Sequence, residues 1–387
     1  MKLSLYKGIF MKTVFLHIGL PKTGTTALQS FLRANEAALA RSGICFPDLG
    51  FRYPNILANR NAHFLIASYD TAPHTASFMP QEEYYTALDR LAALSEEYGK
   101  ILLSDELIWR ICNRHSDFLP TVKQDLASRG MELKVIVYLR RQDEFVQSRY
   151  RQRIKTGETF SFYEFLDTLR QNKYPLDFYD SLNKISDAIG RDNLIIRIYE
   201  KCQYEGFGHT LCSDFLTIFD LSVSDGFTES ERTMNRSLSG TYLEIRRRLN
   251  TLPQSIKDTP SLSQSIRETQ ELNLPSQTSQ KQTLFEPGDP EAFLAHFAAS
   301  NSRLASEYLG RSDGILFYEP LQELPHEQVS QEDLLRDTLL VLGRSLQKVD
   351  TKNKELKLQI EKLEKKMEKN CLTHRIKQIG KKLLGRE

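Results

Sequence analysis

Residues 13–26, Thr-Val-Phe-Leu-His-Ile-Gly-Leu-Pro-Lys-Thr-Gly-Thr-Thr, decide how this chain is read. The apolar run Val14 to Ile18 predicts a buried strand. The turn after it holds Gly19, Pro21 and Gly24, and Leu28, Phe31 and Leu32 then recur at the i, i+3, i+4 spacing of a helix. A strand, a glycine-containing loop and a helix make an anion cradle: loop amides and the helix N-terminus point at a bound phosphate, and Lys22 adds a full positive charge.

Gly19 and Gly24 stand at the spacing of a Walker A motif, but that motif requires Gly-Lys-Ser/Thr. Here Thr25 and Thr26 follow Gly24, and the lysine sits inside the loop at position 22, so the pairing through which kinase and ATPase loops hold Mg²⁺ is missing. A second strand end carries an arginine and a serine that could meet an anion. Leu133-Lys-Val-Ile-Val-Tyr-Leu139 predicts a buried strand that ends in Arg140, and Ser148 follows on a helix. A guanidinium grips phosphate with a planar fork, and a serine hydroxyl donates to it. Arg141 is expected to face the other way.

Pro-Lys-Thr-Gly-Thr-Thr resembles the 5′-phosphosulfate loop of sulfotransferases that use 3′-phosphoadenosine 5′-phosphosulfate (PAPS), and Arg140 with Ser148 resembles the 3′-phosphate signature of the same enzymes. The chain looks like a bacterial sulfotransferase-like family that begins near His-Ile-Gly-x-Pro-Lys-Thr-Gly-Thr-Thr. Further similar stretches are Gly43-Ile44 to Phe46-Pro47, Asn61-Ala62-His63, Leu102 to Glu106, Tyr138 to Asp143, Ile195 to Arg197 and Ser300 to Ala305, so the resemblance covers residues 12–320. It implies an α/β chain with a three-layer P-loop-like fold around a central, mainly parallel sheet. It implies transfer of a sulfuryl group from PAPS to a hydroxyl of a carbohydrate or glycan, with PAP as product. Lys22, Thr23, Gly24, Thr25, Thr26, Arg140 and Ser148 would hold the donor, and Lys22 would also act in catalysis.

Sulfuryl transfer needs in-line placement of the acceptor, neutralisation of charge on the bridging oxygen, and a base for the acceptor proton. Two residues qualify as base. His63 follows Asn61-Ala62 in an expected loop, and imidazole takes up a proton near neutral pH. Glu106 lies just beyond the predicted strand Lys100–Leu103, where ligand crevices of parallel sheets open, and burial would raise its pKa. Sulfotransferases similar to this chain use either type, so both stay open. His17, inside the first strand, is read as structural. No metal site is expected: the eight histidines are scattered, and His209 with Cys212 makes only one pair. Two rival functions are a P-loop-like nucleotide kinase or NTPase and a non-catalytic coiled-coil scaffold.

With 387 residues, the chain is long enough for a sizeable core; a net charge of +2 gives no general pull toward nucleic acid. No run of 18 apolar residues predicts a membrane span, and the start Met-Lys-Leu-Ser-Leu-Tyr-Lys is too interrupted for a signal peptide. Five cysteines at irregular spacing suit a reducing, cytoplasmic setting. Residues 1–11 are expected to form an extension and 12–325 the sulfotransferase domain. Residues 51–80 should form a long loop over the acceptor, and 251–289 a flexible polar excursion. Arg236 is a further candidate to reach the donor.

From Leu335 the apolar residues fall into heptads. Leu339, Leu346, Asn353, Ile360 and Met367 occupy a, while Leu335, Leu342, Val349, Leu356 and Leu363 occupy d. Residues 335–370 therefore predict a coiled coil that joins copies of the chain. Asn353 at a suits a parallel dimer, whereas Lys352 at g facing Lys357 at e disfavours it. The basic amphipathic tail, 371–387, suits peripheral contact with the inner face of a membrane, near lipid-linked glycans.

Overall fold

The computed structural model describes residues 12–69, 79–228, 238, 240–257, 259–273 and 282–383. The extension 1–11 and Arg236 lie outside them. The chain divides into two compact units instead of one continuous domain over 12–325: Met1–Tyr150, Phe162–Asn235 and Thr283–Pro325 make the first, and Arg151–Ser161, Arg236–Gln282 and His326–Glu387 the second.

The first unit is α/β. Its sheet comprises β1 (Lys12–His17), β2 (Ile44–Cys45), β3 (Lys100–Ser104), β4 (Met131–Leu139) and β5 (Leu194–Ile198), in the order β2-β3-β1-β4-β5 with every pairing parallel. Parallel strands need covered crossovers, so their residues are apolar on both faces. Phe15, Leu102, Ile136 and Tyr138 share one buried cluster with side chains of α1 (Thr25–Ala34), α2 (Glu36–Arg41) and the helix Leu211–Thr217. The alternate residues Val14, Leu16, Ile101, Leu103, Val135 and Val137 are buried too.

Where β1 ends matters most for the site. His17 is in register with Ser104 of β3 and Ile136 of β4. Pairing with β4 then outlasts the strand: Ile18 N–H donates to Ile136 O and Leu20 N–H to Tyr138 O, both at 3.0 Å, while Tyr138 N–H donates to Gly19 O at 2.7 Å. The chain is thus held against β4 as far as Tyr138, the strand's penultimate residue. α1 then starts at Thr25, capped by Gly24 in the left-handed region at φ +73°.

Several expectations are corrected. The stretch 51–80 is not all loop, because α3 (His63–Tyr69) buries His63, Phe64, Leu65 and Ile66; residues 70–78 lie outside the described residues. A helix also stands inside the supposed excursion 251–289. Pro260–Asn273 buries Leu262, Ser265, Ile266 and Thr269, and the Thr269 hydroxyl donates to Ser265 O at 2.6 Å. Its inward face mixes Ser265 and Thr269 with Leu262 and Ile266, so hydropathy reads it as solvent-exposed.

In the second unit this helix and Gly240–Leu249 pack on one helix that runs unbroken over Gln331–Leu383. The rod and the tail expected at 371 are therefore continuous in backbone. No helix among the described residues is long and apolar enough to cross a membrane.

Gly24 sits at φ +73°, a backbone that L-residues avoid, and a Cβ there would also press on the end of the Leu211 side chain, 2.7 Å from Cδ2. Gly24→Ala is expected to lower the unfolding free energy by about 1–2 kcal/mol, read from urea melts.

Candidate active site

Three strand ends converge on the loop after β1. The amides of Thr23, Gly24, Thr25 and Thr26 meet no backbone acceptor among the described residues, as expected where a loop enters a helix N-terminus. Thr23 is buried and its hydroxyl donates to Leu20 O at 2.6 Å, so this side chain closes the turn. Thr25 is also buried, whereas Thr26 is exposed. Lys22 itself has a left-handed backbone, φ +70°. A bulky residue in that conformation is uncommon.

Arg140, the first residue past β4, donates through Nη1 to Lys22 O at 2.8 Å. Its Nε donates to Glu144 Oε2 at 3.1 Å, and its guanidinium carbon lies 5.4 Å from the Tyr199 ring centroid. The side chain expected at the far phosphate therefore also braces the loop. It keeps donors in reserve, since a guanidinium has five N–H groups. Arg141 does face elsewhere, donating to Asp143 and to Glu319 O. Ser148 is half-buried on the helix Gln142–Lys155, the second turn of which it occupies.

Beyond β3 stands a buried polar network. Asp105 is fully buried. Arg60 grips it with Nη2 to Oδ1 at 2.5 Å and Nε to Oδ2 at 3.2 Å, His63 Nδ1 lies 2.9 Å from Oδ2, and Leu107 N–H donates to Oδ1 at 2.8 Å. Burial pushes the carboxyl up, but Arg60 and His63 outweigh it and hold Asp105 below the usual carboxylate range. His63 opens α3, and its ring meets Tyr53 edge-on with centroids 4.9 Å apart. Asn61, two residues earlier, fastens this segment to β3: its amide donates to Pro47 O and Leu102 O and accepts from Ser104 N–H.

Glu106 is the next residue after Asp105 and adjoins the loop: a Cβ on Gly19 would lie 3.2 Å from Glu106 Cβ. Gln29 Nε2 donates to its Oε2 at 3.2 Å, and Arg60 Nε stands 3.6 Å away. Burial pushes the Glu106 carboxyl above its ordinary value, Asp105 adds to this, and Arg60 and Gln29 only partly offset it. Gln29 also donates to Ser104 Oγ at 3.1 Å, yet its own Oε1 is buried with no partner among the described residues. His17 meets Ser104 Oγ through Nδ1 at 2.8 Å, and burial lowers its pKa to about 4, which fits the structural role expected of it.

Lys22, His63, Glu106 and Arg140 thus gather at the C-terminal ends of β1, β3 and β4. Asp105, Arg60 and Gln29 were missed from sequence. Asp105 stands inside the stretch Leu102 to Glu106, next to Glu106 at the end of the same strand. Nothing local marks Arg60, which approaches from 45 residues upstream. Among the described residues no group of three or more His, Cys, Asp or Glu side chains is arranged to hold a metal.

No family model matches this chain, and no solved structure matches it. A protein of Archaeoglobus fulgidus described only as uncharacterized is 28% identical over 207 residues, which cover 51% of this chain and 54% of that protein. The chain spans about half the length of that relative.

The two neighbouring carboxylates act oppositely on stability. A lowered carboxyl stabilises the fold above its unfolded pKa and stops doing so as pH falls through the folded value; a raised one costs stability once pH exceeds the unfolded value, about 4.3. Asp105→Ala should therefore lose about 3–5 kcal/mol at pH 7, because it strands Arg60 and His63. Glu106→Gln should melt above the parent at pH 7–8, with the difference vanishing near pH 4. Calorimetric melts across pH check both.

Proposed function

We propose that the chain is a sulfotransferase with a three-layer P-loop-like fold. It moves a sulfuryl group from PAPS to a hydroxyl of a carbohydrate or lipid-linked glycan and releases PAP, in the cytoplasm. The observation that carries this is the 2.8 Å bond from Arg140 Nη1 to Lys22 O, which joins the two anion-binding elements into one cationic cradle. The amides of Thr23 to Thr26, which meet no backbone acceptor among the described residues, fit a bound phosphosulfate, and the donors left on Arg140 fit a second phosphate. The lysine inside the loop, with no Gly-Lys-Ser/Thr, favours this over a Mg²⁺-dependent kinase.

In the transfer, the acceptor oxygen forms a bond to sulfur while the bond from sulfur to the phosphate oxygen breaks, and that electron pair leaves with PAP. Lys22 and the loop amides neutralise the charge gained by the leaving oxygen, in a fixed array that needs no reorganisation. Glu106 takes the acceptor proton. It adjoins the loop, and its raised pKa makes it a stronger base than an exposed carboxylate. The buried, unpartnered Gln29 Oε1 beside it offers an acceptor to a substrate hydroxyl. His63, tied through Nδ1 to Asp105, is the other candidate base, with Asp105 as its positioning residue.

Calorimetric titration with PAP and a labelled-sulfate screen over glycans test the proposal. Lys22→Ala should cut turnover about 10²–10³-fold, more than it weakens PAP binding. Arg140→Ala should chiefly weaken PAP binding, and an unchanged isotherm would remove it from the donor site. Glu106→Gln should lower turnover about 10²–10⁴-fold with little change in donor affinity. Full turnover in both Glu106→Gln and His63→Ala would dismiss both as base, and absence of PAP binding would sink the sulfotransferase assignment.

A further inference from the structure

The helix Gln331–Leu383 meets its own unit along one face near its start, and most of its apolar side chains lie elsewhere. Leu334, Asp337 and Val341 are buried where Gly240–Leu249 and Pro260–Asn273 pack on it; further along, Ser345 Oγ lies 3.4 Å from Ser261 Oγ and Lys348 Nζ 2.7 Å from Glu268 Oε2. In the heptad frame most of these fall at c and f. At 100° per residue that face is turned directly away from a and d. From Leu335 to Met367 every apolar a and d side chain is left 43–71% exposed.

We infer that this outer seam pairs with the same seam of a second copy, in parallel and in register, so that the protein is a dimer through its long helix. Three observations commit the seam to that occupant. The a/d period is sustained over more than four heptads, which a helix needs for a supercoiled partner and not for packing on a globular surface. Asn353 occupies an a position, and only a parallel, in-register copy sets a against a, so that two carboxamides bond each other instead of facing leucine. The length also suffices: 32 residue steps span about 48 Å, and a helix about 10–12 Å wide laid along them covers roughly 1,000–1,200 Å² over both copies, which reaches the floor of about 1,000 Å² for a specific interface.

The unfavourable approach of Lys352 to Lys357 of the other copy is softened, because Lys352 Nζ already lies 3.5 Å from Glu355 Oε2 on its own helix. Near the seam's start, Leu335 and Leu342 also line an apolar groove of about 540 Å³ with Ile245, Leu249 and Leu262. The partner's first heptads would shield the mouth of that groove. The dimer does not depend on the catalytic proposal.

The test uses the full chain. Light scattering coupled to size exclusion, at ten micromolar, should give twice the chain mass. Leu346→Glu with Leu363→Glu, both on the exposed seam, should give the single-chain mass with PAP binding unchanged. Leu358→Glu, at f and 56% exposed, should stay dimeric although it makes the same chemical change. With Cys202 and Cys371 changed to Ser, Met367→Cys should form an interchain disulfide on mild oxidation, since equal a positions meet only in a parallel pair. A single-chain mass for the parent, a trimer or tetramer, or a dimer that Met367→Cys fails to cross-link would each overturn the proposal.

Discussion

Asp105 is a carboxylate removed from water at the end of β3, and much of the candidate site is organised around keeping it charged there. A buried carboxylate survives only if opposite charge and donors replace its hydration. Arg60 supplies two bonds, His63 a third and the Leu107 amide a fourth. Each recruitment fixes something else. Arg60 also comes near Glu106, and His63 is oriented as the first residue of α3. The segment carrying both is held to β3 by Asn61. Two adjacent carboxylates then end with opposite shifts, because Asp105 takes most of Arg60 and Glu106 is left with burial and a like charge.

The loop after β1 depends on a different constraint, the continued pairing of Ile18, Gly19 and Leu20 with β4. That pairing delivers the loop to Arg140, and the guanidinium then binds the Lys22 carbonyl. A cation that braces a loop and retains donors is suited to anion binding, since its position is fixed before the ligand arrives. The left-handed backbone at Lys22 and Gly24 belongs to the same arrangement: it turns the chain sharply enough to start α1, and the amides of Thr23 to Thr26 meet no backbone acceptor among the described residues.

In the second unit the long helix separates two jobs by face. Its c and f positions serve the unit's own core in the first turns, and its a and d positions carry an apolar stripe outward that is broken at Asn353. A single amphipathic stripe would have to choose between these roles. Two stripes on opposite sides let a helix belong to a packed unit at one end and remain available to another chain along its length.

Periodicity by itself settled the strand-loop-helix at 13–34, the strands at 100–104 and 131–139 to within two residues, and the long C-terminal helix, because each has a strong local pattern of period 3.6 or a continuous apolar run. The loop motif, side-chain chemistry and the resemblance singled out Lys22, His63, Glu106 and Arg140, residues at turns and strand ends. Distance was beyond them. Arg60 and Asp105 are 45 positions apart, and Gln29 and Glu106 are 77, so only folding shows that they share one network. The helix at Pro260–Asn273 was hidden for the opposite reason, because its buried face is built from serine and threonine as much as from leucine and isoleucine, and packing rather than hydropathy decides its burial. Local pattern fixes which residues lie on which element; which charge meets which, and whose proton affinity rises, is decided by the tertiary structure, since those depend on proximity and exclusion of water that no stretch of sequence carries.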